Sequence, residues 1–296
     1  MKNLRYACFI LLQSLVYGLG NPLTKIAYQS ISPFWLLATR FLLAVGLLIP
    51  FYGRRVLSGL GEVRWTVWLP CSLCCAGAYI TCNLALNLTS ATNVGFLMSL
   101  PVLFTPLLST LLSGGRYPFR HLPVQLLAVL GLFLLCGNGG DLAFRSGDLL
   151  ALLCAGFISG MLVFGERAMR EMEVPVVTFL QIAITMVISL AGALLFDDLS
   201  AVRAVKPVAW SIVVYLAVMC TIAAYLLQNV AVAHLSAPAV SMLQCTQPIL
   251  TALISFLLLG ERLTVAGWTG AALIIGCLFL DSYLSAQPAE SRREGQ

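Results

Sequence analysis

The segment Tyr79-Ile-Thr-Cys-Asn-Leu-Ala85 decides the fold, because a related segment, Tyr225-Leu-Leu-Gln-Asn-Val-Ala231, lies 146 residues further along the chain. The tyrosine, the asparagine and the last alanine of the two segments coincide at this one offset. Matches of tyrosine and asparagine are harder to attribute to chance than matches of leucine in apolar sequence. The two segments therefore predict that the chain contains an internal repeat.

Further identities extend the repeat in both directions. The offset of 146 also pairs Ser90-Ala91 with Ser236-Ala237, Thr105 with Thr251, Ser109 with Ser255, Gly114 with Gly260 and Arg116 with Arg262. Near the start of each half, an offset of 142 pairs Lys25 with Arg167 and Pro33 with Pro175. We expect two halves, residues 1–140 and 147–284, followed by a polar tail over residues 285–296 that is disordered and cytoplasmic.

Composition places both halves in a membrane. The 296 residues are 60% hydrophobic and only 10% charged, with a mean hydropathy of +0.95, whereas soluble domains carry roughly 25% charged residues. A helix needs about 20 apolar residues to cross the bilayer core. Ten such runs occur: Leu4–Gly20, Phe34–Tyr52, Trp65–Asn87, Ala91–Leu112, Pro123–Gly137, Gly147–Gly165, Pro175–Phe196, Val208–Ala233, Ala237–Leu259 and Ala266–Tyr283.

The division of these runs gives five helices to each half. An odd number of spans makes the second half cross the membrane in the opposite direction to the first. The predicted fold is an all-α polytopic membrane protein with ten transmembrane helices, built as two inverted five-helix repeats. Inverted repeats are typical of secondary transporters, whose substrate site lies near mid-membrane between the halves.

The basic residues predict the orientation, because cytoplasmic loops carry an excess of lysine and arginine. With a cytoplasmic N-terminus, eleven of the seventeen lie inside, five lie outside and Arg40 lies within a helix. The inner set is Lys2, Arg5, Arg54, Arg55, Arg64, Arg116, Arg120, Arg167, Arg170, Arg292 and Arg293; the outer set is Lys25, Arg145, Arg203, Lys206 and Arg262. We expect a multi-pass protein of the plasma (inner) membrane with both termini in the cytoplasm.

The start of the chain resembles a known family. Tyr17-Gly18 with Asn21 and Lys25, then Ser32-Pro33-Phe34 and Arg40-Phe41, is similar to the first two helices of EamA-like permeases of the drug/metabolite transporter superfamily. The end of that family's ninth helix resembles Leu259-Gly260-Glu261-Arg262-Leu263. The first half contains a similar segment that lacks the glutamate, Gly114-Gly115-Arg116-Tyr117. Tyr17 stands where the family usually has tryptophan.

The resemblance covers residues 1–284. It implies a ten-helix inverted-repeat carrier, often an exporter of metabolites or drugs, and it does not identify the substrate.

Polar residues inside the apolar runs are the candidate substrate-binding residues, because polar groups in hydrocarbon usually face the bundle interior. Arg40 lies seven residues past Pro33, about 10 Å into the second helix. It either attracts an anion into the outer half of the cavity, clamps backbone carbonyls, or extends its charged end to the outer face of the membrane. The i, i+4 pairs Tyr79/Asn83 and Tyr225/Asn229, with Gln228 beside the second pair, either line a cavity or hydrogen-bond between helices.

Proline breaks supply the remaining candidates. Gly20-Asn21-Pro22 is predicted to interrupt the first helix, Pro101 and Pro106 the fourth, and Pro248 the ninth. Interrupted helices often mark the site of a transporter, although a harmless kink is the alternative. Asn21, Gln244 and Gln247 lie beside these breaks and complete the predicted site. The motif Gly156-x-x-x-Gly160 predicts close helix packing.

Other functions find less support in the sequence. Neither histidine, His121 or His234, sits in a catalytic or zinc motif, so we expect no enzyme and no cofactor. Cys71-x-x-Cys74 has no second pair to complete a metal site, and scattered basic residues argue against nucleic acid. The expected partners are a small-molecule substrate and the lipid bilayer. We expect a secondary transporter, a permease or exporter, that moves small metabolites such as amino acids or related compounds by alternating access. A multidrug or cation efflux carrier and a non-transporting structural or regulatory protein remain as alternatives.

Overall fold

The structure, a computed structural model, describes residues 2–89, 91–114, 117, 119–136, 146–198, 205–259 and 264–286, apart from the side chains of residues 2, 3, 21, 60–62, 91–93, 255–259, 285 and 286. The tail was predicted to begin at residue 285, but residues 285 and 286 belong to the last helix. The rest of the predicted tail lies outside this description, as do Ser90, Arg116 and the motif at residues 260–263.

The described chain is helical throughout, and it contains ten helices long and apolar enough to cross a membrane. We number them α1 to α10. They are α1 Lys2–Ala27, α2 Pro33–Glu62, α3 Trp65–Leu88, α4 Ala91–Leu97 with Pro101–Ser113, α5 Leu122–Cys136, α6 Ser146–Glu171, α7 Val174–Phe196, α8 Pro207–His234, α9 Ala237–Gln244 with Thr246–Leu259, and α10 Val265–Ala286. A 3₁₀ turn, Phe119–His121, precedes α5, and the segment Leu216–Ala223 of α8 is π-helical.

Helix starts follow the sequence signals. Pro33 is the first residue of α2, where its missing N–H costs nothing and its fixed φ suits the helix. The Ser32 hydroxyl caps this helix by accepting from the backbone N–H of Trp35. Ser236 caps α9 in the same way, accepting from the backbone N–H of Ala239.

Two of the four predicted proline breaks occur. The fourth helix is interrupted between Leu97 and Pro101, and the ninth is interrupted at Cys245, three residues before Pro248. The predictions of breaks at Pro22 and Pro106 are wrong, since α1 and the second part of α4 continue through them. Proline removes one backbone hydrogen bond but need not end a membrane helix, because packed neighbours hold the chain in place.

The second apolar run ends at Tyr52 in the sequence, but α2 continues through Gly53-Arg54-Arg55 to Glu62. Arginine is a strong helix former. A basic cluster therefore ends an apolar run without ending the helix that carries it.

The packing of the ten helices is symmetric between the halves. α3 packs on α6 as α8 packs on α1, and α4 packs on α6 as α9 packs on α1. α2 meets α7, its own counterpart, and α5 likewise meets α10. Each of these self-paired helices runs antiparallel to its partner: Ser32 lies beside Asp197, while Val56 packs with Met172 at the other end. This is the arrangement of two interlocked inverted repeats.

Glycines bring two helix pairs into close contact. A Cβ atom at Gly131 of α5 would lie 2.9 Å from the carbonyl oxygen of Gly270 in α10, so the two backbones touch. In the predicted Gly156/Gly160 motif, a Cβ at Gly160 would lie 2.7 Å from Cys74 Sγ, which confirms close packing there. The prediction is wrong for Gly156, which has no described neighbour within 4 Å of a Cβ.

Candidate functional site

A cavity of about 690 Å³ lies between the two halves. It extends from the middle of the bundle to the end where α1 and α5 finish, near Lys25 and Cys136. At the opposite end, the rings of Tyr6 and His234 stack with centroids 4.1 Å apart, and α1 packs against α8 and α9. The cavity is therefore reached from one end of the bundle, away from the N-terminus.

Seven of the nine predicted site residues line this cavity. They are Arg40, Tyr79, Asn83, Tyr225, Gln228, Gln244 and Gln247. Asn21 lies within α1, but its side chain is outside the described part. Asn229 is not among the described lining residues. Its side-chain nitrogen donates to Thr178 Oγ1 at 2.8 Å and to Gln181 Oε1 at 2.7 Å, which fixes α8 to α7.

Arg40 is the central charge of the cavity, and its side chain is almost wholly buried. Its Nε donates to Thr221 Oγ1 at 2.6 Å, and its Nη2 donates to the Tyr79 hydroxyl at 3.2 Å. The guanidinium carbon also lies 4.9 Å from the centre of the Tyr79 ring, within cation–π range. Neutral hydroxyls and an aromatic face thus position Arg40, and the described contacts include no backbone carbonyl of the kind a structural clamp requires.

The π-helical segment of α8 presents Thr221 to Arg40. The Thr221 hydroxyl donates to the carbonyl of Leu216, five residues earlier, at 3.0 Å. That spacing matches the wider π turn, and such turns frequently occur at functional sites. Because its hydrogen is directed to Leu216, the Thr221 oxygen is left to accept from Arg40.

Three tyrosines form the wall beside Arg40. The rings of Tyr79 and Tyr225 stack with centroids 5.7 Å apart, and the hydroxyls of Tyr17 and Tyr79 lie 3.2 Å apart. The Tyr225 hydroxyl points elsewhere, 3.2 Å from Cys75 Sγ. Tyr79 therefore links Arg40 to α1, whereas Tyr225 contributes mainly the face of its ring.

Asn83 completes the wall on the α3 side. Its Nδ2 donates to the carbonyl of Tyr79 at 2.8 Å, and its Oδ1 accepts from the Tyr28 hydroxyl. Burial raises the pKa of Tyr28 well above its usual range, so the hydroxyl keeps the proton that it donates. These two hydrogen bonds hold the Asn83 side chain in the cavity wall.

A cluster of three glutamines lies further into the bundle. Gln13 Nε2 donates to Gln228 Oε1 at 2.7 Å, and Gln244 Nε2 donates to the same oxygen at 3.0 Å. Gln13 Oε1 and Gln228 Nε2 are buried without a hydrogen-bond partner among the described residues. The cluster therefore offers one free acceptor and one free donor.

The sequence reasoning did not select Gln13, Tyr17, Tyr28 or Thr221 as site residues. A glutamine at position 13, inside an apolar run, was a usable signal, because such a side chain seeks a polar partner in the bundle. Thr221 carried no such signal, since threonine hydroxyls commonly bond to their own helix.

Glu166 lies near the closed end of the bundle. Its two oxygens accept from Arg170 Nη2 and from the backbone N–H of Ala237, both at 2.8 Å. A carboxylate at a helix N-terminus stabilises that end. Glu166 thus joins α6 to the start of α9.

Comparisons with known proteins agree with this architecture. The model of the EamA-like transporter family matches twice, over residues 4–137 and 145–282. Two proteins of Archaeoglobus fulgidus, each described as an uncharacterized transporter, are 26% identical to the chain. One aligns over 93% of this chain and 85% of its own length, and the other over 88% and 91%. A solved crystal structure superimposes with a TM-score of 0.77 at 24% identity, covering 95% of this chain and 96% of that one.

Proposed function

The chain belongs to the EamA-like transporter family, and from that membership we propose that it is a secondary transporter moving small metabolites, such as amino acids or related compounds, by alternating access. In this proposal the substrate binds in the cavity between the halves. Arg40, Tyr79, Asn83, Tyr225, Gln228, Gln244 and Gln247 contact it. Asn229 is not included, because it is not among the described residues that line the cavity.

One observation carries the proposal. A cavity of about 690 Å³ contains a buried arginine and a set of hydrogen-bonding side chains contributed by both repeats. Its volume falls in the range of small-molecule sites, roughly 300–1,000 Å³. A cavity that receives its polar groups from both halves changes shape when the halves move relative to each other, which is the requirement for alternating access.

The closed end of the bundle supports the same mechanism. His121 Nδ1 lies 2.7 Å from Asp281 Oδ1, and this pair joins the start of α5 to the end of α10. The Tyr6–His234 stack joins α1 to α8 at the same end. In the proposed cycle these contacts separate when the cavity opens towards the N-terminal face.

The proposal also includes the membrane in which the protein lies and its orientation there. The excess of basic residues on the side of the N-terminus favours a plasma (inner) membrane protein with both termini in the cytoplasm. The cavity described above would then face outward. Reporter fusions at residue 1 and after residue 286, together with one at Arg145, which the count of basic residues places outside, test this assignment.

The two alternatives receive less support from the site. Among the described lining residues none is acidic, so a cation would meet only arginine and lysine as charged groups. A non-transporting protein is expected to fill its centre with apolar side chains, whereas polar groups line this cavity.

The test is transport by the purified protein in liposomes, with a panel of amino acids, nucleosides and cationic dyes. We expect saturable movement of at least one metabolite. Arg40→Ala should abolish that movement at a normal protein level. If no compound moves in liposomes or in expressing cells, the transporter proposal is overturned. A lowered protein level with normal activity per molecule would instead make Arg40 a structural residue.

A further inference from the structure

The charge of the cavity is unbalanced. Among its described lining residues the ionised side chains are Lys25 and Arg40, and both are cations. Lys25 lies at the mouth, whereas Arg40 is only 4% exposed. A buried charge is normally paired, because removing it from water costs several kcal/mol. No described carboxylate pairs with Arg40.

The guanidinium of Arg40 has donors to spare. A guanidinium carries five N–H groups in a planar fork, and the described hydrogen bonds use one on Nε and one on Nη2. The acceptors, Thr221 and Tyr79, are neutral and fix the plane of the fork without neutralising it. A carboxylate is the acceptor whose two oxygens match such a fork.

The glutamine cluster provides a second, uncharged point of recognition. Gln13 and Gln228 are at most 3% exposed, yet Oε1 of Gln13 and Nε2 of Gln228 have no described partner. Oxygen and nitrogen of an amide are assigned from the hydrogen-bond pattern. If oxygen and nitrogen are exchanged in all three glutamines, one donor and one acceptor are again left without a partner. Two unsatisfied groups of opposite character suit a ligand group that both donates and accepts.

The distance between the two points limits the size of the ligand. Thr221, which holds Arg40, and Gln228 are both on α8 and are separated by seven residues, which is about 10 Å along a helix. The stacked rings of Tyr79 and Tyr225 lie between them. The middle of the site is therefore aromatic, with the cation at one end and the amides at the other.

We propose that the substrate is a slender organic anion whose carboxylate binds Arg40 and whose far end, a neutral hydroxyl or amide, binds Gln13 and Gln228. This inference rests on the proposed transport function, which it deepens by naming the substrate class. A single buried arginine matches the single charge of a carboxylate better than the double charge of a phosphate monoester.

The experiment measures binding to the purified native protein in detergent, by isothermal titration and by the shift in thermal unfolding. The probes are 4-hydroxyphenylacetate, its neutral amide 4-hydroxyphenylacetamide, phenylacetate without the far hydroxyl, and the cation tyramine. All four probes contain the same benzene ring. Each of the other three differs from 4-hydroxyphenylacetate at one end only, either at the carboxylate or at the hydroxyl. We expect 4-hydroxyphenylacetate to bind at least about tenfold more tightly than its amide or tyramine, and severalfold more tightly than phenylacetate.

Two variants connect these preferences to the residues. Arg40→Gln should remove the preference for the acid over its amide, and Gln228→Leu should remove only the preference for the far hydroxyl. The inference is overturned if the acid does not bind the native protein at 10 mM, or if the amide or tyramine binds as tightly. Since the probes are compared on native protein, misfolding of a variant leaves the test intact.

The binding test is independent of the transport test. Selective binding of 4-hydroxyphenylacetate, without movement in liposomes of that acid or of any compound in the panel, would contradict the transporter proposal alone. Movement of a panel compound, with 4-hydroxyphenylacetate neither moved nor bound in preference to its amide, would contradict the substrate class alone.

Discussion

The rings of Tyr79 and Tyr225 stack on each other 5.7 Å apart, although 146 residues separate them in the sequence. They occupy equivalent positions of the two repeats. Equivalent residues contact each other only close to the axis that relates their halves, so this stack marks the centre of the molecule. Their hydroxyls nevertheless have different partners: Tyr79 accepts from Arg40, and Tyr225 lies beside Cys75.

That difference predicts unequal effects of removing the two hydroxyls. Tyr79→Phe keeps the stacked ring but deletes an acceptor of a charged donor, worth about 1.5–3 kcal/mol. We expect roughly tenfold weaker substrate binding. Tyr225→Phe, the matched control, loses contacts to sulfur worth at most about 0.5 kcal/mol. Titration of both variants with the same ligand checks this, and equal losses would contradict the assigned role of the Tyr79 hydroxyl.

Thr221→Val tests how Arg40 is positioned. Valine has the shape of threonine without the hydroxyl, so the buried Nε–H of Arg40 loses its acceptor at a cost of about 1–3 kcal/mol. We expect lower affinity and a lower unfolding temperature. Thr39→Val is the control, because the Thr39 hydroxyl bonds to carbonyls of its own helix. A Thr221→Val protein with native affinity would show that Arg40 does not depend on this contact.

Asn83 and Asn229 occupy equivalent positions of the two repeats, and we predict that their substitution has different effects on stability and on substrate affinity. Asn229→Ala breaks two buried hydrogen bonds between α8 and α7, so we expect a loss of about 1–3 kcal/mol of stability with little change in substrate affinity. Asn83→Ala should lower substrate affinity, since Asn83 lines the cavity, in addition to the stability lost with its bond to Tyr28. Thermal unfolding and ligand titration of both variants separate the two effects. The reverse pattern would count against this assignment.

The contact between α5 and α10 predicts a purely structural effect. A Cβ at Gly270 would lie 2.6 Å from the backbone nitrogen of Leu135, and a backbone atom cannot move aside as a side chain can. We expect Gly270→Ala to cost about 1–3 kcal/mol through overpacking. Gly276→Ala on the same helix is the control, because no described atom lies within 4 Å of its Cβ. Equal unfolding temperatures for the two variants would contradict the close packing.

The sequence predicted the architecture well, because the length of an apolar run depends directly on bilayer thickness and because two similar sequence halves fold into two similar units. Ten spans in two inverted halves follow from those two patterns alone. Helix ends were less accessible. The Arg54-Arg55 cluster marks where apolar sequence stops, yet the helix continues to Glu62, because arginine favours the helical backbone on either side of that boundary.

The site was predictable only in part, because the sequence repeat makes equivalent residues of the two halves look alike. Asn83 and Asn229 are indistinguishable in the sequence, and the pattern placed both in the site. The structure is open at one end, so the two repeats have different surroundings, and only Asn83 lines the cavity. A repeated sequence specifies equivalent positions but does not specify which member of each pair is exposed in a given conformation.

The lack of a described counter-charge for Arg40 also bears on energetics. In an alternating-access cycle, the fixed charge of an empty site crosses part of the electric field across the membrane. Moving one elementary charge through 100 mV corresponds to about 2.3 kcal/mol. A bound carboxylate cancels this charge during the outward step, and the unloaded site returns as a cation towards a negative interior. Voltage alone would then drive efflux of the anion, without a proton or a sodium ion as the coupled species.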